Sequence, residues 1–310
     1  MFYNKCERYS AFDENNLRNL ALEFYHLRSF VAVAQTGNLT QAAKRLYTTP
    51  PAISAHIKTL EDELSTPLFI RSNKGMSLTD KGQLLLKKAQ LTLDSAVDLV
   101  NLAADNQHEI MGTFHLGINL SAKKMKLSEL AKNLQENCPG ISLDIHQQST
   151  GKTINEIREQ QLSGGYIFGD IPDDFIGVAV MNQTITTVAP LTFDCSKILT
   201  QADFCFHQWI MMGDYCPFDV FLKEKLGNNI PSVLKTSDDD TRLQLVKNGL
   251  GLSFLEKEEA LLAEKNKEVK IIPALDFATT LHFVIAKSRV NEPLIKALMQ
   301  EIRVLWSINL

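Results

Sequence analysis

The 310-residue sequence predicts an α/β protein with a small all-α module near its N-terminus, and three observations carry that prediction. Between residues 23 and 64, apolar side chains recur at helical spacing in three short segments separated by tight polar turns. From Gly112 onward, apolar runs of strand length alternate with amphipathic helices, the pattern of a layered α/β domain. Charge is also unevenly spread: residues 23–90 hold nine basic and five acidic groups, whereas residues 91–310 hold 20 basic against 28 acidic. The net charge of −4 is therefore an average over a basic segment and an acidic body, the asymmetry of an anion-binding module joined to something else.

A 45% hydrophobic content supplies packed cores for two or three domains. The first ten residues have no secretory apolar core, because Lys5, Glu7 and Arg8 interrupt it, so a cytoplasmic protein is expected. The uncharged stretch Phe175 to Phe193 carries too many polar groups to span a membrane. Five cysteines, an odd number with no CxxC, fit reduced thiols better than a disulfide framework or a zinc site.

Leu27, Phe30, Val31 and Ala34 predict a first helix that ends at Thr36-Gly37-Asn38, with Gly37 as a left-handed cap. Thr40 is expected as N-cap of a short second helix through Leu46, whose paired Ala42 and Ala43 admit a close neighbour. After Tyr47-Thr48, Thr49 precedes Pro50 as a hydroxyl cap ahead of a first-turn proline. The third helix, about Pro50 to Leu64, has an apolar stripe of Ile53, Ile57, Leu60 and Leu64, and offers Pro51, Ser54, Ala55 and Lys58 on its other side. Two such helices joined by a tight turn form a helix-turn-helix. The run Arg71 to Leu78 predicts a hairpin turning at Asn73-Lys74-Gly75, a wing able to lie along a phosphate backbone. Periodicity alone leaves open an antiparallel helix pair of some other small domain.

The runs His26 to Ala34 and Leu39-Thr-Gln-Ala-Ala-Lys-Arg-Leu46, then Pro51-Ala-Ile-Ser54, Ile57, Leu60-Glu61 and Leu64, continue into Pro67-Leu-Phe-Ile-Arg71, Leu78-Thr79 and Gly82. With spacing intact, they resemble the winged helix-turn-helix of the LysR-type transcriptional regulators. The resemblance implies double-stranded promoter or operator DNA as partner, with Thr40, Thr49, Pro50, Pro51, Ser54, His56, Lys58, Arg71 and Lys74 as DNA-binding residues. Two departures fall on the reading face: Pro50 stands where the family usually has Gln, and Ala55 where it often has Arg. Each loss removes about 1–3 kcal/mol of base discrimination. Sequence preference then rests more on Ser54, His56, Lys58, apolar contact from Pro50 and Pro51, and DNA shape. Ser65 replaces the usual Gly at a helix end.

Thr79 is expected to cap a long helix through Leu84, Ala89, Leu93, Val97 and Val100 to about Ala104. Its apolar residues wrap more than one face, as a helix that also packs on a partner would; an intramolecular core helix is the alternative. The resemblance makes this a linker helix that pairs subunits into a homodimer or homotetramer. The expected organisation is an extension over 1–21 (a disordered arm or a misassigned start), a DNA-binding domain over 22–79, a linker over 80–110 and an effector-binding domain over 111–310.

Within that last part, Thr113 to Ile118 and Ile141 to His146 read as strands, with Leu127 to Asn137 and Thr153 to Leu162 as helices. The alternation predicts right-handed crossovers and a mainly parallel sheet. Trp209 to Met212, Gly249 to Phe254 and His282 to Ala286 add strands, and Leu294 to Trp306 a terminal helix. The resembled family has here a two-subdomain, type 2 periplasmic-binding-protein-like sensor, divided as 111–185 with 286–310 and 186–285. In such sheets ligands bind beyond the carboxyl ends of strands, at helix N-termini. The resemblance places Asn119, Leu120 and Ser121 in the cleft after the first strand, and Ser149 and Thr150 after the second. Tyr215, Cys216 and Phe218, with Thr236 and Ser237, come from the other subdomain. These groups suit a small effector with an anionic or polar head, although each hydroxyl can instead cap its own helix. An Asp common in the family is missing around Gly164 to Ile167, and Glu256 replaces a frequent Pro.

Cys216 precedes Pro217 at a predicted helix N-terminus, where the dipole lowers a thiol pKa, and peroxide-sensing members of the family carry a reactive Cys in about this region. Redox sensing through Cys216 is therefore an alternative to effector binding, and a small buried hydrophobe the bland one. No HExxH, GxSxG or P-loop is present, so neither an enzyme nor a cofactor or metal site is expected. His115 and His282, inside apolar strands, read as satisfied core histidines. A solute-binding protein would explain the C-terminal part but leave residues 23–80 without a role. The sequence points to an effector-responsive transcriptional regulator.

Overall fold

The computed structural model describes residues 22–72, 75–103, 109–197, 200–213, 216–236 and 238–308. It divides between Leu99 and Val100 into two compact units.

The first unit opens with α1 (Phe24–Thr36), α2 (Leu39–Arg45) and α3 (Pro50–Glu63). Gly37, at φ +64°, ends α1 and donates its N–H to the Val33 carbonyl. Asn38, not Thr40, caps α2: its side chain accepts from the Thr40 and Gln41 amides, and the carboxamide reaches both because the helix begins two residues earlier than expected. Thr49 caps α3 as predicted, accepting from the Ala52 amide. Phe30, Ile53, Ile57 and Leu60 are fully buried against Ala42 and Ala43, each large side chain contributing about 1.5–3 kcal/mol. Strands β1 (Phe69–Ser72) and β2 (Gly75–Leu78) pair antiparallel from Phe69 opposite Leu78 to Ser72 opposite Gly75; the turn residues Asn73 and Lys74 lie outside the described residues. The Glu61 carboxylate accepts from the Leu68 and Phe69 amides at 2.7 and 3.1 Å, fixing the approach to β1. Thr79 accepts from the Gly82 amide at the head of α4 (Asp80–Asn101), whose Ala89, Leu85, Leu86 and Leu93 complete this core.

The second unit contains β3 (Gly112–Ile118), α5 (Leu127–Asn137), β4 (Ile141–Gln147), α6 (Thr150–Arg158), β5 (Gly164–Phe168) and β6 (Phe175–Ala189). Then come β7 (Trp209–Met211), α7 (Pro217–Leu226), β8 (Ser232–Lys235), α8 (Asp239–Lys247), β9 (Ser253–Glu256), α9 (Lys257–Lys265), β10 (Lys270–Ala286) and α10 (Pro293–Leu305). Helix α6 begins three residues before the predicted Thr153, because Ser149 provides its cap. The main sheet has the order β4-β3-β5-β10-β6-β9. Only β3 with β4 and β3 with β5 are parallel; the other three pairings are antiparallel. The expectation of a mainly parallel sheet is thus corrected to a mixed one. The long β6 and β10, paired along most of their length, carry the chain out to a second lobe and back, so they must oppose each other. That second lobe holds the parallel pair β7 and β8. A large core runs through Phe114, Leu116, Tyr166, Phe283, Trp209 and Phe254.

Candidate functional site

Two surfaces, one on each unit, gather the residues singled out in the sequence. On the first, α3 presents exposed Pro50, Pro51, Ala55 and Lys58 and half-buried Ser54. Arg71 of β1 places its guanidinium 3.5 Å from the Ser54 hydroxyl, so wing and helix share one polar edge. Lys44, Arg45 and Lys58 add exposed cations. Thr40 and Thr49 are exposed; Lys74 lies outside the described residues. His56, half-buried, differs from its neighbours on this face in being engaged by α1. Its Nδ1 shares a 2.8 Å hydrogen bond with Ser29 Oγ, and its ring centre lies 4.9 Å from that of Tyr25 and 5.5 Å from that of His26. It is directed back onto α1, where burial, and then the neighbouring His26, push its pKa down.

The second unit has a cleft of about 530 Å³, counting its open mouth, at the carboxyl ends of strands. Of the expected residues it brings together Asn119, Leu120, Ser149, Thr150, Cys216 and Phe218; Ser121 does not line it, and Tyr215 and Ser237 lie outside the described residues. The N-termini of α6 and α7 open toward it, where partial positive charge favours anions. The Ser149 hydroxyl is engaged as the cap of α6. The Thr150 hydroxyl accepts from the Phe168 amide at 3.1 Å and from Asn119 Nδ2 at 3.4 Å.

Sequence reading missed Gln148, Gln183, Met212, Arg242 and Glu256, which also line the cleft. Arg242, in the first turn of α8 behind the Asp238 cap, is 3% exposed, and no sequence signal marks it. Asn119 Oδ1 and Gln183 Oε1 are buried with no hydrogen-bond partner. Such groups cost free energy unless a ligand or water satisfies them. Glu256, at the family's usual Pro position, pairs with Lys124 of the opposite lobe, as does Glu259 at 3.2 Å. An ion pair thus bridges the lobes beside the cleft.

Cys216 is 8% exposed, and its Sγ lies 3.7 Å from the Met212 sulfur. Burial, and then the Asp219 carboxylate, push its pKa up to about 11, although amides of the helix start pull it down. The expectation of a dipole-lowered thiol is therefore reversed: loss of water around the sulfur outweighs the helix terminus. Asp219 itself is buried and accepts from the Met212 and Gly213 amides at 2.9–3.1 Å, which holds the loop between β7 and α7 in place.

Comparison with known proteins finds a family for each part of the chain. Residues 24–83 match the bacterial regulatory helix-turn-helix proteins of the lysR family, and residues 107–306 match the LysR substrate binding domain. The Bacillus subtilis transcriptional regulator YvbU is 31% identical over 238 residues, covering 74% of this chain and 80% of its own. A crystal structure of a protein from Pseudomonas aeruginosa, described as a probable transcriptional regulator, superposes with a TM-score of 0.67 at 16% identity, over 93% of this chain and 98% of the other. Full-length CbnR complexed with its target DNA superposes with a TM-score of 0.57 at 17% identity, over 91% and 99%. The chain belongs to the LysR family of bacterial regulators, as a DNA-binding helix-turn-helix protein with an effector-responsive LysR substrate-binding domain.

Proposed function

We propose that α3 and the wing read operator DNA through Pro50, Pro51, Ser54, Lys58, Arg71 and Lys74, with Thr40 and Thr49 near the phosphates, and that the cleft takes a small metabolite bearing a carboxylate or similar anionic head. The observation that carries the second half is the convergence of buried Arg242 with the unpartnered Asn119 Oδ1 and Gln183 Oε1 in one cleft. A guanidinium pairs with an anionic head, and the two amide groups, whose oxygen and nitrogen can exchange places, suit a polar tail. Domain roles follow the limits 22–79 for reading DNA, 80–110 for linking and 111–310 for sensing. Leu84 and Leu99, 66% and 71% exposed on α4, favour pairing of subunits into a dimer or tetramer, which sets two readers on a two-fold-related site. The effector acts by favouring one arrangement of the lobes. We assign no catalytic step: Cys216 stays a neutral thiol and the Asp219 carboxylate is occupied by backbone amides. The protein is read as cytoplasmic.

Fluorescence anisotropy on the DNA upstream of its own coding region tests the first half. Ser54→Ala and Arg71→Ala are expected to weaken binding, Arg71→Ala by about 1–3 kcal/mol if it contacts a base; equal affinity for all three proteins would contradict the assignment. For the second half, thermal shift against a panel of small mono- and dicarboxylates is expected to find a stabilising compound. Arg242→Gln should abolish that stabilisation.

A further inference from the structure

At the β3–β4 edge of the second unit, three side chains of metal-binding type meet on one face of the sheet. His115 of β3 stands directly opposite Asp144 of β4 in the parallel ladder. His146 follows two residues later on β4 and therefore points to the same side. One carboxylate oxygen, Asp144 Oδ2, lies 3.0 Å from His115 Nδ1 and 3.1 Å from His146 Nε2. The donor atoms of all three lie within 4.8 Å of one another. A first-row divalent ion holds nitrogen and oxygen ligands at about 2.0–2.2 Å, which sets neighbouring ligand atoms about 3.0 Å apart in an octahedron and about 3.4 Å apart in a tetrahedron. Two of the three spacings already fall at that separation.

We propose that His115, Asp144 and His146 form a binding site for a divalent transition metal, held by two imidazoles and one carboxylate contributed by adjacent strands. This donor set suits Zn²⁺, Co²⁺, Ni²⁺ or Cu²⁺ and not Mg²⁺, which prefers oxygen ligands. Binding requires no new fold. To hold the ion, His115 Nδ1 and His146 Nε2 must be the unprotonated ring nitrogens, so each neutral imidazole carries its proton on the other nitrogen. The strands supply rigidity: the His115 amide donates to Ser163 Oγ at 3.2 Å, and its carbonyl accepts from the Ser163 amide at 2.9 Å. Asp144 and His146 are 51% and 42% exposed at their side chains, which gives an ion an entry path, while His115 at 18% forms the floor. Three protein ligands leave at least one coordination position for water or a small anion. Unlike a zinc framework of sequential Cys and His, this site exists only because β3 and β4 pair in this register.

Tag-free full-length protein, stripped with chelator and desalted, is titrated with ZnCl₂ by calorimetry and with CoCl₂ by absorption. The expected result is one equivalent bound with micromolar or tighter affinity, and visible cobalt bands that report imidazole coordination. His146→Gln and Asp144→Asn should each weaken binding by roughly tenfold or more; both positions are solvent-facing, and an unchanged circular dichroism spectrum verifies folding. His56→Gln serves as control, because His26 and His56 are another close imidazole pair, and it should leave the isotherm unchanged. The proposal is overturned by the lack of a saturable one-to-one isotherm, by equal binding in His146→Gln, or by loss of binding in His56→Gln.

Discussion

The α-carbon of Gly75 lies so close to the carbonyl oxygen of Gly37 that a Cβ on Gly75 would stand 2.6 Å from it. The same carbonyl accepts from the Met76 amide at 2.9 Å, so the wing is stitched onto the turn that ends α1. Gly75 also holds φ +124°, a conformation that other residues avoid. Gly75→Ala is expected to cost about 1–3 kcal/mol and to lower DNA affinity, because the wing loses its anchor. Thermal unfolding and anisotropy measured beside the exposed control Ser77→Ala check this; matching values for the two variants would contradict it.

Ser65, in the family's usual Gly position, adopts φ +48° immediately after the Leu64 cap of α3. An L-residue there carries a left-handed penalty of about 1–2 kcal/mol, partly offset because glycine loses more freedom on folding. Ser65→Gly is therefore expected to raise stability by roughly 0.5–1 kcal/mol, read as a higher urea midpoint at unchanged slope.

His56 titrates below its ordinary value because burial, and then His26, disfavour its charged form. A lowered folded pKa means that the unfolded chain binds the proton more readily. The stability contributed by neutral His56 is thus complete above the ordinary histidine value and declines as pH falls through it. Unfolding of the full chain should show the N-terminal transition shift downward between pH 8 and pH 5 (about 1.5 units either side of that value), and His56→Gln should flatten the shift.

Cys216, with its pKa near 11 and its sulfur against Met212, should resist mild peroxide. Cys195, which is exposed, is expected to oxidise first. Peptide mass spectrometry after brief treatment reads this directly, and early modification of Cys216 would restore the redox alternative.

Local signals made the first unit legible almost to the residue. The stripe Ile53, Ile57 and Leu60, the Thr49 cap and the Gly37 stop each act within one turn of helix, where spacing alone determines the outcome. The hydrogen bond of His56 to Ser29, 27 residues away, carries no local signal, because a helical position allows either face. In the second unit the family resemblance pointed to Asn119, Ser149 and Thr150 beyond the ends of β3 and β4, and all three line the cleft. Arg242 and Gln183 did not announce themselves, because a lone Arg on a helix and a Gln within a strand carry no spacing rule. The His115, Asp144 and His146 cluster had no sequence signature, since its members are 29 and two residues apart and meet through strand register. The mixed sheet was missed for a related reason: β6 lay in a stretch that polarity had only excluded from the membrane.

The two long strands that carry the chain out to the second lobe and back also dictate how the lobes can move. Sliding one strand of an antiparallel ribbon along the other breaks its ladder throughout, whereas twisting the ribbon strains each bond only slightly. The ladder of β6 and β10 is interrupted between Ile272 and Phe277 and again between Leu281 and His282. Gln183 and Ile185, which face the cleft, pair with Thr279 and Phe277 on the short intact stretch between those two breaks. The two irregularities of the ribbon thus stand on either side of the stretch that lines the cleft, the places where a twist of one lobe against the other strains the ladder least.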